Sequence, residues 1–103
     1  MNEHNEDYQQ GADAVIALTL LSIGNFPNAS QGKTAAIKRT LWRLLDDNFD
    51  VDDYDCDEAS RAVIDGLMEA LDAFGFTEAQ KSMIEHSIES EIDFNFGDGV
   101  GNR

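Results

Sequence analysis

The densest run of groups able to do chemistry is Asp46-Asp47-Asn48-Phe49-Asp50-Val51-Asp52-Asp53-Tyr54-Asp55-Cys56-Asp57, in which carboxylates and one amide recur at short spacing. Clustered hard oxygens are what calcium requires, and counting from Asp46 puts Asp46, Asn48 and Asp50 at positions one, three and five of an EF-hand-like loop, with Asp57 at twelve. Val51 then stands where that loop needs a turning glycine, Asp53 where it carries an apolar residue, and Asp57 is shorter than the bidentate glutamate. The run is also single, whereas EF-hands usually pair. The spacing therefore assigns no metal site, and calcium held by Asp46, Asn48, Asp50 and Asp57 stands as the alternative. Asp55 has a simpler task, capping the helix that follows, with Asp57 favoured by its N-terminal dipole. Capping leaves Asp50, Asp52 and Asp53 unexplained, and these are free to meet a partner.

Other candidate chemistry fails on spacing. Gly32-Lys33-Thr34 matches the end of a phosphate-binding loop, but the glycine expected five positions earlier is Pro27 and no strand precedes it. His86 lies near Glu85 and Glu89 without the His-Glu-x-x-His or Glu-x-x-His pairs that assemble metal sites. Cys56 sits among aspartates that disfavour its thiolate, and no second cysteine exists for a disulfide. The chain reads as a non-enzyme without a cofactor, in a reducing cytoplasm.

Charge is the stronger signal: 21 Asp and Glu against 7 Lys and Arg give a formal −14 over 103 residues. A domain stays soluble with far less, and self-repulsion on this scale opposes compaction unless the field has a use. At about 100° per residue, Glu58, Asp65, Glu69 and Asp72 form a row opposite the apolar stripe of one predicted helix. Glu78, Glu85 and Glu89 do the same on the next, and Arg61 and Lys81 are the only bases on the two. Lys33, Lys38, Arg39 and Arg43 are gathered on the preceding helix around Trp42, which points more than ~90° away from that helix's own stripe. Trp and Arg are favoured interface anchors, so Arg39, Trp42 and Arg43 are a candidate self-association surface for a homodimer or an adaptor subunit.

In composition the chain resembles the acidic nucleic-acid mimics and inhibitors of phages and mobile elements, anti-restriction and anti-CRISPR proteins among them. The resemblance covers no motif. It implies a basic nucleic-acid-binding protein as partner, met through Asp50, Asp52, Asp53 and the two rows, no direct binding of nucleic acid, and a host cytoplasm.

The elements that must position these residues are helices. A 42% hydrophobic fraction is globular, and one proline with apolar residues at helical spacing argues against a sandwich or barrel. The chain is expected to be all-α, a single domain over residues 1–103 built as a compact bundle of about four helices. A polar arm covers 1–11, the helical core 12–93 and a flexible glycine-rich tail 94–103. The first helix, from about Asp13 as its N-cap to Ile23 with Gly24 at C′, is apolar on nearly every side, which predicts a central position. Its stretch from Ala14 to Ile23 is about half a membrane span, so no membrane is implied. The second runs from about Ser30 to Asp47 on Ile37, Leu41, Leu44 and Leu45. A third is capped by Asp55, turns Val63, Ile64, Leu67, Leu71 and Phe74 inward and stops at Gly75. The fourth opens with Thr77 and Gln80 in capping-box spacing and carries Met83, Ile84, Ile88 and Ile92.

Overall fold

The computed structural model describes residues 3–50 and 54–97, with side chains from Tyr8 onward. Its elements are α1 (Glu3–Gly24), α2 (Gln31–Phe49), α3 (Cys56–Ala73) and α4 (Glu78–Phe96), and no strand occurs among the described residues. Each helix packs on its neighbours in sequence, and α4 returns to α1, so the four close a ring with α1 opposite α3 and α2 opposite α4.

The caps of α3 and α4 are set as the sequence predicts, while Asp13, expected to cap the first helix, lies inside α1. Ser30 Oγ accepts the Lys33 amide at 3.2 Å, and Asp55 accepts the amides of Asp57 and Glu58. Thr77 and Gln80 form a reciprocal capping box. At the end of α3, Gly75 takes a φ of +88°, with its amide on the Asp72 carbonyl and that of Phe76 on the Leu71 carbonyl. That is a Schellman turn, and it brings Phe76 back into the core beside Leu71.

Four expectations are corrected. The arm proposed for 1–11 is helical from Glu3, because Tyr8 and Ala12 extend the inward stripe of Val15, Ile16 and Ile23 by two turns. The α1 helix is not enclosed, since in a ring of four each helix keeps an outer face: Leu18 is 42% and Leu21 67% exposed. The fourth helix runs past Asp93 to Phe96, which continues the i+4 series Ile84, Ile88, Ile92, while Met83 points outward at 61% exposure. Residues 94–97 of the expected tail thus belong to α4 and its cap, and residues 98–103 lie outside the described residues, as do Asp52 and Asp53. Finally, Trp42 is half-buried and packs against the core, so its side chain serves the fold.

The two ends of the bundle are held differently. At one, Phe96 stacks on Phe49 at 4.6 Å between centroids, with Tyr8 and Tyr54 against the same ring at 6.1 and 6.4 Å. The Tyr8 hydroxyl donates to Asp46, and that of Tyr54 to the Phe96 carbonyl. Gly11 lets this ring approach α1, because a Cβ there would lie 3.0 Å from Phe96 Cζ. At the other end the α1–α2 and α3–α4 turns are joined by two amides: Asn28 Nδ2 donates to Gln80 Oε1 at 3.2 Å, and Gln80 Nε2 donates to Asn28 Oδ1 at 3.1 Å. Inside, the Thr19 hydroxyl is fully buried without a hydrogen-bond partner among the described residues.

Candidate functional site

Antiparallel packing of α3 on α4 turns the i+4 repeats of both helices toward one seam. Along it Asp57, Arg61 and Asp65 from α3 face Glu85, Glu89 and Asp93 from α4 across an open groove of about 520 Å³, with Ser60, Ser90, Cys56 and Ile64 completing its walls. The α3 helix is placed by its buried stripe Ala59, Val63, Ile64, Leu67 and Leu71, and α4 by Ile84, Ile88 and Ile92. The carboxylates thus stand on frames fixed by the core, one helical turn (~6 Å) apart. Arg61 is the single base among them and makes no ion pair with its neighbours on either side.

The groove unites only part of the residues singled out by sequence. Asp65, Glu85 and Glu89 meet there. Glu58 lies on the outer flank of α3, where it shares a shallower surface with Asp57, Arg61, Ala62 and Asp65. Glu69 is exposed outside both, and Asp50 is the exposed C-cap of α2. Asp72 and Glu78, expected to be unneutralised, are bridged by Lys81 at 3.1 and 2.9 Å. The two carboxylates, Glu78 foremost, hold the Lys81 ammonium protonated above its ordinary range. The acidic surface is therefore strongest midway along the α3–α4 seam and toward Asp57 and Asp93.

Asp93 was missed because the sequence series was ended at Ile92; extending the spacing Glu85, Glu89 by four residues finds it. Asp57 was assigned to the helix dipole and to the calcium alternative, and its i+4 relation to Arg61 and Asp65 is the signal that places it in the groove.

The calcium alternative loses its geometry. Asp46 and Asn48 belong to α2, where Asn48 Nδ2 donates to the Leu44 carbonyl at 2.8 Å and Asp46 accepts the Tyr8 hydroxyl. A loop wrapping an ion cannot take its first and third ligands from a continuous helix. Among the described residues no group of three or more His, Cys, Asp or Glu side chains is arranged to hold a metal ion.

On α2, Lys38, Arg39 and Arg43 are exposed, and the only ion pairs among the described residues are those of Lys81. Lys33 is engaged within the fold, donating to the Asn28 carbonyl at 3.2 Å with its ammonium 5.9 Å from the Phe76 ring centre. No helix among the described residues is long and apolar enough to cross a membrane. No protein-family model, curated protein or solved structure matches the chain.

Proposed function

We propose that this protein is a non-enzymatic binding protein whose acidic α3–α4 surface occupies a basic, normally nucleic-acid-binding, surface of another protein. The observation that carries the reading is the groove itself: Asp57, Asp65, Glu85, Glu89 and Asp93 converge there against one arginine that pairs with none of them. An ordinary exposed helix pair would interleave Glu with Lys at i+4 for its own stability. A surface that forgoes this is built to be neutralised from outside.

The mechanism is competition. A field of this sign accelerates encounter with a basic cleft, and the fixed carboxylates then replace phosphates along it. Their step of ~6 Å along a helix is close to the ~6.8 Å axial advance of two nucleotides on one strand. Phage and mobile-element inhibitors of host nucleic-acid-binding machinery are the class this description fits, acting in the host cytoplasm.

The test is displacement of a labelled DNA duplex from a panel of basic nucleic-acid-binding proteins, followed by fluorescence anisotropy. The wild-type chain is expected to release the duplex from its target without binding DNA itself, and less well as salt rises. The variant Asp65→Lys/Glu85→Lys/Glu89→Lys is expected to lose on the order of 100-fold in potency with its helical circular dichroism unchanged. Full displacement by that folded variant, or direct binding of the duplex by the wild type, overturns the reading.

A further inference from the structure

Among the described residues, the large hydrophobic side chains that the fold leaves exposed, Leu18, Leu21, Met83 and Phe94, all lie on α1 and α4. On α1 they form an organised face. Ala14, Ala17, Leu18 and Leu21 follow one another at i, i+3, i+4 and i+7, a sector about 100° wide on the side away from Ala12, Val15 and Ile23. Ala17, Leu18 and Leu21 are exposed and Ala14 half-buried. From Tyr8 to Gly24 the only charged residue is Asp13, about a quarter turn off the centre of this face. In a chain of formal charge −14 this is the surface where charge has been withheld.

We infer that the outer face of α1 is where a second copy of this chain docks, in an antiparallel two-fold contact of α1 with α1. Two observations select this occupant. First, electrostatics: two copies that approach through α3 or α4 stack carboxylate on carboxylate, whereas an approach through α1 opposes surfaces whose one charge between Tyr8 and Gly24 is Asp13 and leaves both α3 faces on the far sides of their bundles. Second, the face is complementary to itself. A two-fold axis between Ala17 and Leu18 sets Ala14 of one copy against Leu21 of the other and Ala17 against Leu18, so that each large residue meets a small one. An isologous contact demands such self-matching, and small residues let the helices close to the ~8–10 Å of ordinary packing. The self-association surface thus moves from Arg39, Trp42 and Arg43 to α1. This inference is independent of the acidic groove.

The test is sedimentation of the full chain over roughly 1–500 µM at low and at ~0.5 M salt. A monomer–dimer equilibrium that strengthens with salt is expected, opposite in sign to the salt response of the acidic surface. Leu21→Glu should weaken the dimer at least ~10-fold with helicity unchanged. Leu21→Ala should weaken it less, and Ala14→Leu/Leu21→Ala should restore it, because the two-fold axis exchanges the two positions. The inference is overturned by a monomer at every concentration and salt, by a dimer indifferent to Leu21→Glu, or by a double exchange weaker than Leu21→Ala alone. It is equally overturned by a monomer that moves onto zwitterionic lipid vesicles through Leu18 and Leu21.

Discussion

Across the diagonal of the bundle, α1 turns Ala17, Leu18 and Leu21 outward, with Asp13 its one charge from Tyr8 to Gly24. The opposite helix, α3, turns Asp57, Glu58, Asp65, Glu69 and Asp72 outward around Arg61. Inward, the two are alike: each buries small and branched apolar side chains at helical spacing, Ala12, Val15, Ile16 and Ile23 on one and Ala59, Val63, Ile64, Leu67 and Leu71 on the other. Burial of these stripes is what stabilises the fold, and it leaves the outer faces free to diverge. The divergence sets a face crowded with carboxylates against one nearly free of charge.

The harshest way to break this contrast is to remove the ring that holds both faces in one frame. Phe96→Ala takes away the side chain packed among Tyr8, Phe49 and Tyr54, and is expected to cost about 3–5 kcal/mol in urea unfolding. Phe94→Ala, two residues away and 75% exposed, should change stability by less than ~0.5 kcal/mol. Equal costs would refute the assigned end of α4.

A smaller perturbation detaches α1 alone. Tyr8→Phe deletes the hydroxyl that Asp46 accepts and is expected to lose about 1 kcal/mol at neutral pH. Burial first, then the hydrogen bond to Asp46 and the nearby carboxylates of Asp46, Asp50 and Asp47, push the Tyr8 phenol well above its ordinary range. The folded chain keeps this proton while an unfolded tyrosine releases it near pH ~10, so its contribution is complete below that pH and is lost as pH climbs beyond it. Denaturant titrations at rising pH should show the alkaline fall in stability to be shallower in Tyr8→Phe. Identical alkaline limbs would disprove the link.

The gentlest probe sharpens the contrast. Neutralising the groove in Asp65→Asn/Glu85→Gln/Glu89→Gln should raise Tm by a few degrees at low salt, with the gain shrinking by ~0.15 M as screening sets in. Asp13→Asn on α1 should give little of this effect. Differential scanning calorimetry in matched buffers decides the matter.

Much of the frame was legible before any coordinates. Asp55, Thr77 with Gln80, and Gly75 mark helix ends by local chemistry, which needs no knowledge of the fold. What escaped depended on distant partners. Nothing near Tyr8 in sequence announces that its ring meets Phe96 and its hydroxyl Asp46, so the polar start of α1 read as an arm. Trp42 looked outward by angle because a helix wheel does not show which side chains of the assembled bundle pack against the core. In the groove, the rows were visible as spacing. Which rows face each other, and that Lys81 closes one end, required the α3–α4 packing.

The joined turns carry one last consequence. A capping box accepts glutamate as readily as glutamine, and this chain uses acidic residues freely, yet position 80 is an amide. Gln80 Oε1 serves the Thr77 amide and Asn28 Nδ2, while its Nε2 serves Asn28 Oδ1. Only a neutral side chain with a donor and an acceptor satisfies all three. A carboxylate there would keep the cap and sever half of the tie to the α1–α2 turn, so the choice of one uncharged letter in an acidic text records a joint between two hairpins.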